Sequence, residues 1–198
     1  MNRALSVLVC LALIALIPVL QYFVVSDEDA VGPITTSGEA NEEVSTDDFT
    51  LEVAEVDLTS SLSVPSGFDE GGETVEANGA WVVVWARLTA AHTTIDTFPA
   101  ELQMADGTTY FERGWFTDTL DRESLSPGLP LQGAFVFEVP VEQIHEPALV
   151  VTHAEGYDGR LGAQASIDLD LSAAEPSDEP VALLPPEIQT GEATHAPE

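Results

Sequence analysis

The stretch "LSPGLPLQGAFVFEVP", Leu125 to Pro140, decides the fold class of this chain. A Pro127-Gly128 turn delivers the backbone into alternating residues, with Leu131, Gly133, Phe135, Phe137 and Val139 on one face and Gln132, Ala134, Val136 and Glu138 on the other. Period-two alternation between turn signals is the mark of a β-strand with one buried face. Pro140, which has no N–H to donate, ends it. Upstream, "AWVVVWARLTA" at Ala80 to Ala90 is apolar on both faces, as a central strand is. "FTLEVAEVDL" places Phe49, Leu51 and Val53 on one face, then Val56 and Leu58 after a one-residue slip that a bulge near Ala54 and Glu55 produces. "ELQMADGTTYF" carries Asp106-Gly107 between apolar runs, a hairpin turn. "ALVVTH" and "SIDLDL" follow, the latter with Ile167, Leu169 and Leu171 inward. About seven strands within residues 49–171 predict an all-β, immunoglobulin-like two-sheet sandwich.

Outside that block the texture changes. Residues 1–25 start with Arg3 and then run uncharged from Ala4 to Val25. As a helix this run is about 33 Å long, enough to cross a bilayer core. Tyr22 and Phe23 stand where an interfacial aromatic belt would be, just before "SDED". The competing reading is a cleaved signal peptide, whose apolar region is usually shorter. Both readings place residue 26 onward outside the cytoplasm, because the positive charge precedes the span. The sequence therefore predicts a signal-anchor and a single-pass cell-membrane protein with its bulk extracytoplasmic, or a secreted one if the segment is cleaved. Residues 26–48 are acidic and poor in apolar side chains, and read as a disordered linker. Residues 172–198 are acidic and proline-rich, and read as a disordered tail; within it "VALLPP", Val181 to Pro186, is a short apolar patch that is either a docking motif or a chance cluster.

Composition excludes several functions. The chain of 198 residues holds 35 Asp and Glu against five basic residues, all arginine, for a net charge of −30. Such a surface repels nucleic acid. Without lysine there is no amine nucleophile, Schiff base or Walker-type phosphate grip. The one cysteine, Cys10, lies in the apolar run, so neither an internal disulfide nor a thiolate zinc site is available.

The order "GAWVVVWARLTA", "LQMADGTTYF", "LSPGLPLQGAFVFEVP" and "ALVV" resembles an actinobacterial and firmicute family of extracytoplasmic domains of unknown function with a telokin-like, immunoglobulin-like sandwich. Asp106, Gly107, Pro127, Gly128, Phe137, Val139 and Pro140 occupy the family's aspartate-glycine turn, its "PG" and its "F-x-V-P" strand end. Where family members often carry an Asn after the long strand, this chain has "TAAHTT". The resemblance implies a fold and a location and supplies no catalytic residues.

No catalytic, cofactor-binding or metal-binding set is expected. There is no G-x-S-x-G elbow, and His92, His145, His153 and His195 are scattered without zincin spacing. "DEGGE" (Asp69 to Glu73) and "DTLDRE" (Asp118 to Glu123) offer oxygen ligands of the kind calcium takes but match no EF-hand loop; they read as solvated charge runs. The one candidate partner surface is the odd face of the long strand, Trp81, Trp85 and Arg87, with Arg87 one pleat from Trp85 and in reach of its ring. Tryptophan and arginine are enriched in binding hot spots, so an outward-facing stripe would meet a partner, whereas a covered one is core. The sequence thus predicts a non-catalytic interaction or accessory module serving an unidentified envelope or membrane protein. The alternative is an extracytoplasmic small-ligand or calcium-binding domain.

Overall fold

The computed structural model describes residues 12–13, 16–17, 31–66, 69–112, 114, 116–153, 161–171 and 175–189. The chain divides into two compact units, residues 1–32 and 33–198. In the first, residues 12–13 and 16–17 are helical. No helix among the described residues is long and apolar enough to cross a membrane, and most of the expected span over residues 4–25 lies outside them.

The second unit is a β-sandwich of two sheets. Sheet I has the order β1-β9-β8-β5-β6, with β1 (Ile34–Glu39), β5 (Ala100–Gln103), β6 (Thr109–Phe111), β8 (Ala148–His153) and β9 (Ala163–Asp168). Sheet II has the order β10-β3-β4-β7-β11, with β3 (Phe49–Ser66), β4 (Asp69–Ala90), β7 (Leu131–Val139), β10 (Val181–Ala182) and β11 (Glu187–Ile188); β2 (Glu43–Ser45) also pairs with β3. Adjacent strands run antiparallel except β1 with β9 and β10 with β3.

The strands follow the sequence signals closely. β4 is flanked by β3 and β7, the central position that its two apolar faces require. Ladder register shifts between Val53 and Glu55, placing the expected bulge at Ala54 and keeping Phe49, Leu51, Val53 and Leu58 in one core. Asp106-Gly107 makes the β5–β6 turn, with Gly107 at φ +87° and the Asp106 carboxylate accepting the Thr108 N–H at 2.8 Å. That bond holds the Asp106 carboxyl below its usual range. Gly128, at φ +70°, turns the chain into β7.

The inner face of sheet II contributes Val82, Val84, Leu88, Phe135 and Phe137; sheet I answers with Leu102, Leu149, Val151 and Ile167, all in one buried cluster. Phe98 and Phe135 meet edge to face at 6.4 Å between centroids.

Two expectations are corrected. Residues 26–48 are not all linker: β1 pairs with β9 along its whole length and β2 places Val44 in the core. Composition counts apolar side chains, but an edge strand is held through its backbone N–H and C=O groups, which any sequence supplies. Gly38 lets the two strands close up, since a Cβ there would lie 2.4 Å from Val44 Cγ2. Nor are residues 172–198 all disordered tail: β10 and β11 lie on opposite edges of sheet II. The sandwich therefore spans residues 34–189 rather than 49–171, and has eleven strands among the described residues rather than about seven.

Candidate functional site

A sandwich sheet ordinarily turns a polar face to water. The outer face of sheet II does not. The parity of β4 and β7 places Trp81, Val83 and Trp85 beside Ala134 and Val136 on that face, across the pairs Val83–Val136 and Trp85–Ala134. A further register shift in β3, between Thr59 and Ser61, turns Leu62 from the inner to the outer face. Together with Phe116 and Leu183 these residues form a second buried apolar cluster, separate from the inter-sheet core.

The three candidate residues of the stripe have different fates. Trp81 is 1 % exposed. Its indole N–H donates to the Val75 carbonyl at 3.2 Å, and Phe116 meets its ring edge to face at 5.4 Å. Of the two readings of the stripe, Trp81 takes the covered one: it faces away from the inter-sheet core and packs with Phe116 and Leu183 in the second cluster. Trp85 is half-buried, its indole N–H donating to Asp57 Oδ2 at 2.8 Å. Arg87 is exposed and ion-pairs with Glu52, its cross-strand neighbour. Of the stripe, only Trp85 and Arg87 reach solvent.

Phe116, the far end of the β3–β4 hairpin (Leu62, Val64, Val75 and Ala77) and the C-terminal segment close the face together. Ser177 bonds the edge of β3 in both directions, its N–H to the Leu58 carbonyl and its carbonyl from the Ser60 N–H, each at 2.9 Å. The Thr59 hydroxyl donates to the Glu179 carbonyl at 2.9 Å. β10 then pairs with Leu62 and Ser63, the Leu183 side chain enters the cluster, and β11 pairs with Leu131 and Gln132 at the opposite edge. Residues 175–189 thus strap sheet II from the β3 edge to the β7 edge. The sequence signal for this was "VALLPP", whose central leucine is the anchor.

Beside the cluster stands a buried acid. Glu112 follows β6 and accepts the Val136 N–H on Oε1 at 3.2 Å, occupying the β7 edge at Val136. Its Oε2 is buried without a hydrogen-bond partner. Burial pushes the Glu112 carboxyl up to about 9, and the nearby Asp121 adds to the effect; the Val136 N–H and Arg122 pull the other way and do not offset it. Arg122 is engaged elsewhere, with the Gly114 carbonyl and, at 3.6 Å, with Asp121. No motif marks Glu112 in the sequence.

Among the described residues no group of three or more His, Cys, Asp or Glu is placed to hold a metal. Within "DTLDRE", Asp121 accepts the Thr119 hydroxyl and pairs with Arg122, while the side chains at the start of "DEGGE" lie outside the described residues. His153 pairs with Asp48 at 2.9 Å, and His195 lies outside the described residues. An open hollow of about 940 Å³ at one end of sheet I is rimmed by Glu39, Asn41, Glu146, Asp168 and Asp170.

No protein-family model matches the chain, and no curated protein matches it. Among solved structures it is similar to an uncharacterized β-sandwich protein from Clostridium difficile 630, with 13% identity and a TM-score of 0.44 over 69% of this chain and 95% of that one. It is also similar to MPT63, a secreted protein from Mycobacterium tuberculosis, with 16% identity and a TM-score of 0.43 over 68% of this chain and 98% of that one.

Proposed function

We propose that this chain is a non-catalytic interaction or accessory module: an immunoglobulin-like sandwich held on the outer side of the cell membrane by a helix over residues 4–25, serving a membrane or envelope protein. One observation carries this reading. The outer face of sheet II is apolar and holds an extended segment of chain by backbone pairing at both edges, with Leu183 buried in the cluster and Val181 packed against it, which is how sheet surfaces bind peptides. The long uncharged run after Arg3 supports the tether, and the resemblance of residues 49–171 to extracytoplasmic domains supports the location.

The test is done in intact cells. A photocrosslinking amino acid is placed in turn at Phe111, Leu184 and Ile188, which are 67%, 60% and 55% exposed. We expect a discrete adduct with one membrane or envelope protein from at least one position, formed by a chain that external protease digests and that alkaline carbonate leaves in the membrane. Absence of any adduct from all three positions refutes the interaction reading. Release into the medium with an N-terminus near Asp27 refutes the anchor.

A further inference from the structure

The middle of β4 contains the one Asn-Gly step of the chain, Asn78-Gly79. The ladders on either side of it part here. Between the pairs Thr59–Trp81 and Ser61–Glu76, β4 runs through Ala77 to Ala80 while β3 has only Ser60 to set against them. β7 comes alongside from Ala80, opposite Val139, so Ala77, Asn78 and Gly79 have no register partner in either neighbour. Such an excursion is a bulge, and a glycine in it marks a close backbone approach. A Cβ at residue 79 would lie 2.4 Å from the Val139 carbonyl oxygen and 2.8 Å from Pro140 Cα, so the packing requires glycine there. Asn78 itself is exposed.

An asparagine followed by glycine carries its own reagent. The Gly79 amide nitrogen is one ring closure away from Asn78 Cγ, an intramolecular attack that proximity favours and that no Cβ on the following residue hinders. A new N–Cγ bond forms, the Cγ–Nδ2 bond breaks, and the Gly79 amide proton leaves with the carboxamide nitrogen as ammonia. The product is a five-membered succinimide. Water then opens either C–N bond of the ring, giving aspartate with the main chain intact or isoaspartate with the main chain rerouted through Cβ and Cγ. The net change is uptake of water and loss of ammonia, with no oxidant or reductant. In the folded chain one contact opposes the first step. The Asn78 N–H, at 2.8 Å, and Nδ2, at 3.1 Å, both donate to Glu138 Oε1. Two donors meeting on a single oxygen hold the carboxamide beside its own N–H, away from the Gly79 nitrogen on the carbonyl side of the residue.

We infer that Asn78 is a self-modification site of this protein, restrained by Glu138, and that its conversion is a one-way switch that loosens the join of β4 and β7. The bonds to Glu138 are what the product cannot remake. A carboxylate at residue 78 has no side-chain donor for Glu138 Oε1 and stands against it as a like charge, which is unfavourable across a ladder. Isoaspartate adds a main-chain carbon immediately before Gly79, where the Val139 carbonyl leaves no room even for a side-chain carbon. The Asp106-Gly107 step is the internal contrast. Its ring closure is opposed twice within a paired hairpin, since the Gly107 N–H donates to the Met104 carbonyl at 2.9 Å and Asp106 accepts the Thr108 N–H at 2.8 Å.

The test uses the full-length chain in phosphatidylcholine nanodiscs, aged at mildly alkaline pH and cut at glutamate for mass spectrometry. The fragment Ala77–Glu101 holds Asn78 as its only side-chain amide, so the mass shift from amide to acid in it reports this residue alone. We expect wild type to convert to a mixture of aspartate and isoaspartate, the signature of the ring. Glu138→Ala should convert faster by about tenfold or more, because bonds to a carboxylate no longer have to be given up before the ring closes. Glu138→Gln keeps an accepting oxygen and should stay within about twofold of wild type. Should Glu138→Ala lose its fold, Glu138→Asp, whose shorter side chain withdraws the oxygen, takes its place. Asn78→Asp, which installs the product at once, should lower Tm by several degrees, and by less in the Glu138→Gln background, where the like charge is gone. No conversion in wild type or in the Glu138 variants, over a time in which the guanidinium-unfolded chain converts completely, overturns the site. Equal rates in wild type and Glu138→Ala overturn the restraint, and an Asn78→Asp chain as stable as wild type overturns the switch.

Discussion

Glu112→Gln isolates a buried acid whose cost depends on pH. The folded carboxyl titrates near 9 because it is buried, whereas an unfolded glutamate titrates near 4.5. Between these values the folded chain holds a proton that the unfolded chain releases, so stability falls as pH rises. The contribution is fully present below the unfolded value and is lost by the time the pH has passed the folded one. Each pH unit inside the window costs about 1.4 kcal/mol, or about 3 kcal/mol by pH 7. Glutamine keeps the oxygen that accepts the Val136 N–H and cannot ionise; its amide replaces the unpartnered Oε2, which adds an offset independent of pH. The stability of Glu112→Gln relative to wild type should therefore climb steadily from pH 5 to 9 and level off above it. For a domain of this size about 3 kcal/mol corresponds to roughly 6–12 °C in Tm. The assay is urea unfolding of both proteins across pH 4–10 at fixed ionic strength. The remaining acids titrate in both proteins and cancel in the difference, provided they do not touch residue 112. Asp121 does interact with it, so Asp121→Asn should narrow the window by lowering the Glu112 titration point. Parallel stability curves for wild type and Glu112→Gln would refute the reasoning, and would mean that Glu112 is ionised in the folded protein at neutral pH.

Other substitutions separate the two apolar clusters. Phe137→Ala removes a fully buried ring between the sheets and should cost about 3–5 kcal/mol, measured by denaturant unfolding; a loss below about 1 kcal/mol would place Phe137 outside the packed core. Trp81→Ala should cost a similar amount although it lies on the other face, since it is 1 % exposed against Phe116. Trp85→Ala loses one hydrogen bond to Asp57 from a half-buried site and should lower Tm by only a few degrees; equal losses for the two tryptophans would erase the distinction. Gly79→Ala brings a Cβ to 2.4 Å from the Val139 carbonyl oxygen and 2.8 Å from Pro140 Cα, both backbone atoms, so a marked drop in Tm is expected, and an unchanged Tm would show that the β4–β7 ladder end can shift.

The strand grammar of the core was legible because it is local. Alternation through Leu131–Val139, the slip at Ala54, and the turns at Asp106-Gly107 and Pro127-Gly128 each depend on a few neighbouring residues, and each stands in the structure where the sequence put it. The two apolar faces of β4 likewise announced a central strand. What covers the second face was not legible. Both Trp81 on an exposed stripe and Trp81 beneath a strap read as the same alternation, and only the long-range placement of Phe116 and Leu183 distinguishes them. The edge strands β1, β10 and β11 were hidden for a related reason: their pairing is made by backbone groups common to every residue, so an acidic, proline-rich composition could not reveal it. Glu112 is the sharpest case. One glutamate among 35 acidic residues has no local signature, and its raised titration point comes from burial at the β7 edge, a property of the folded surroundings rather than of the residue.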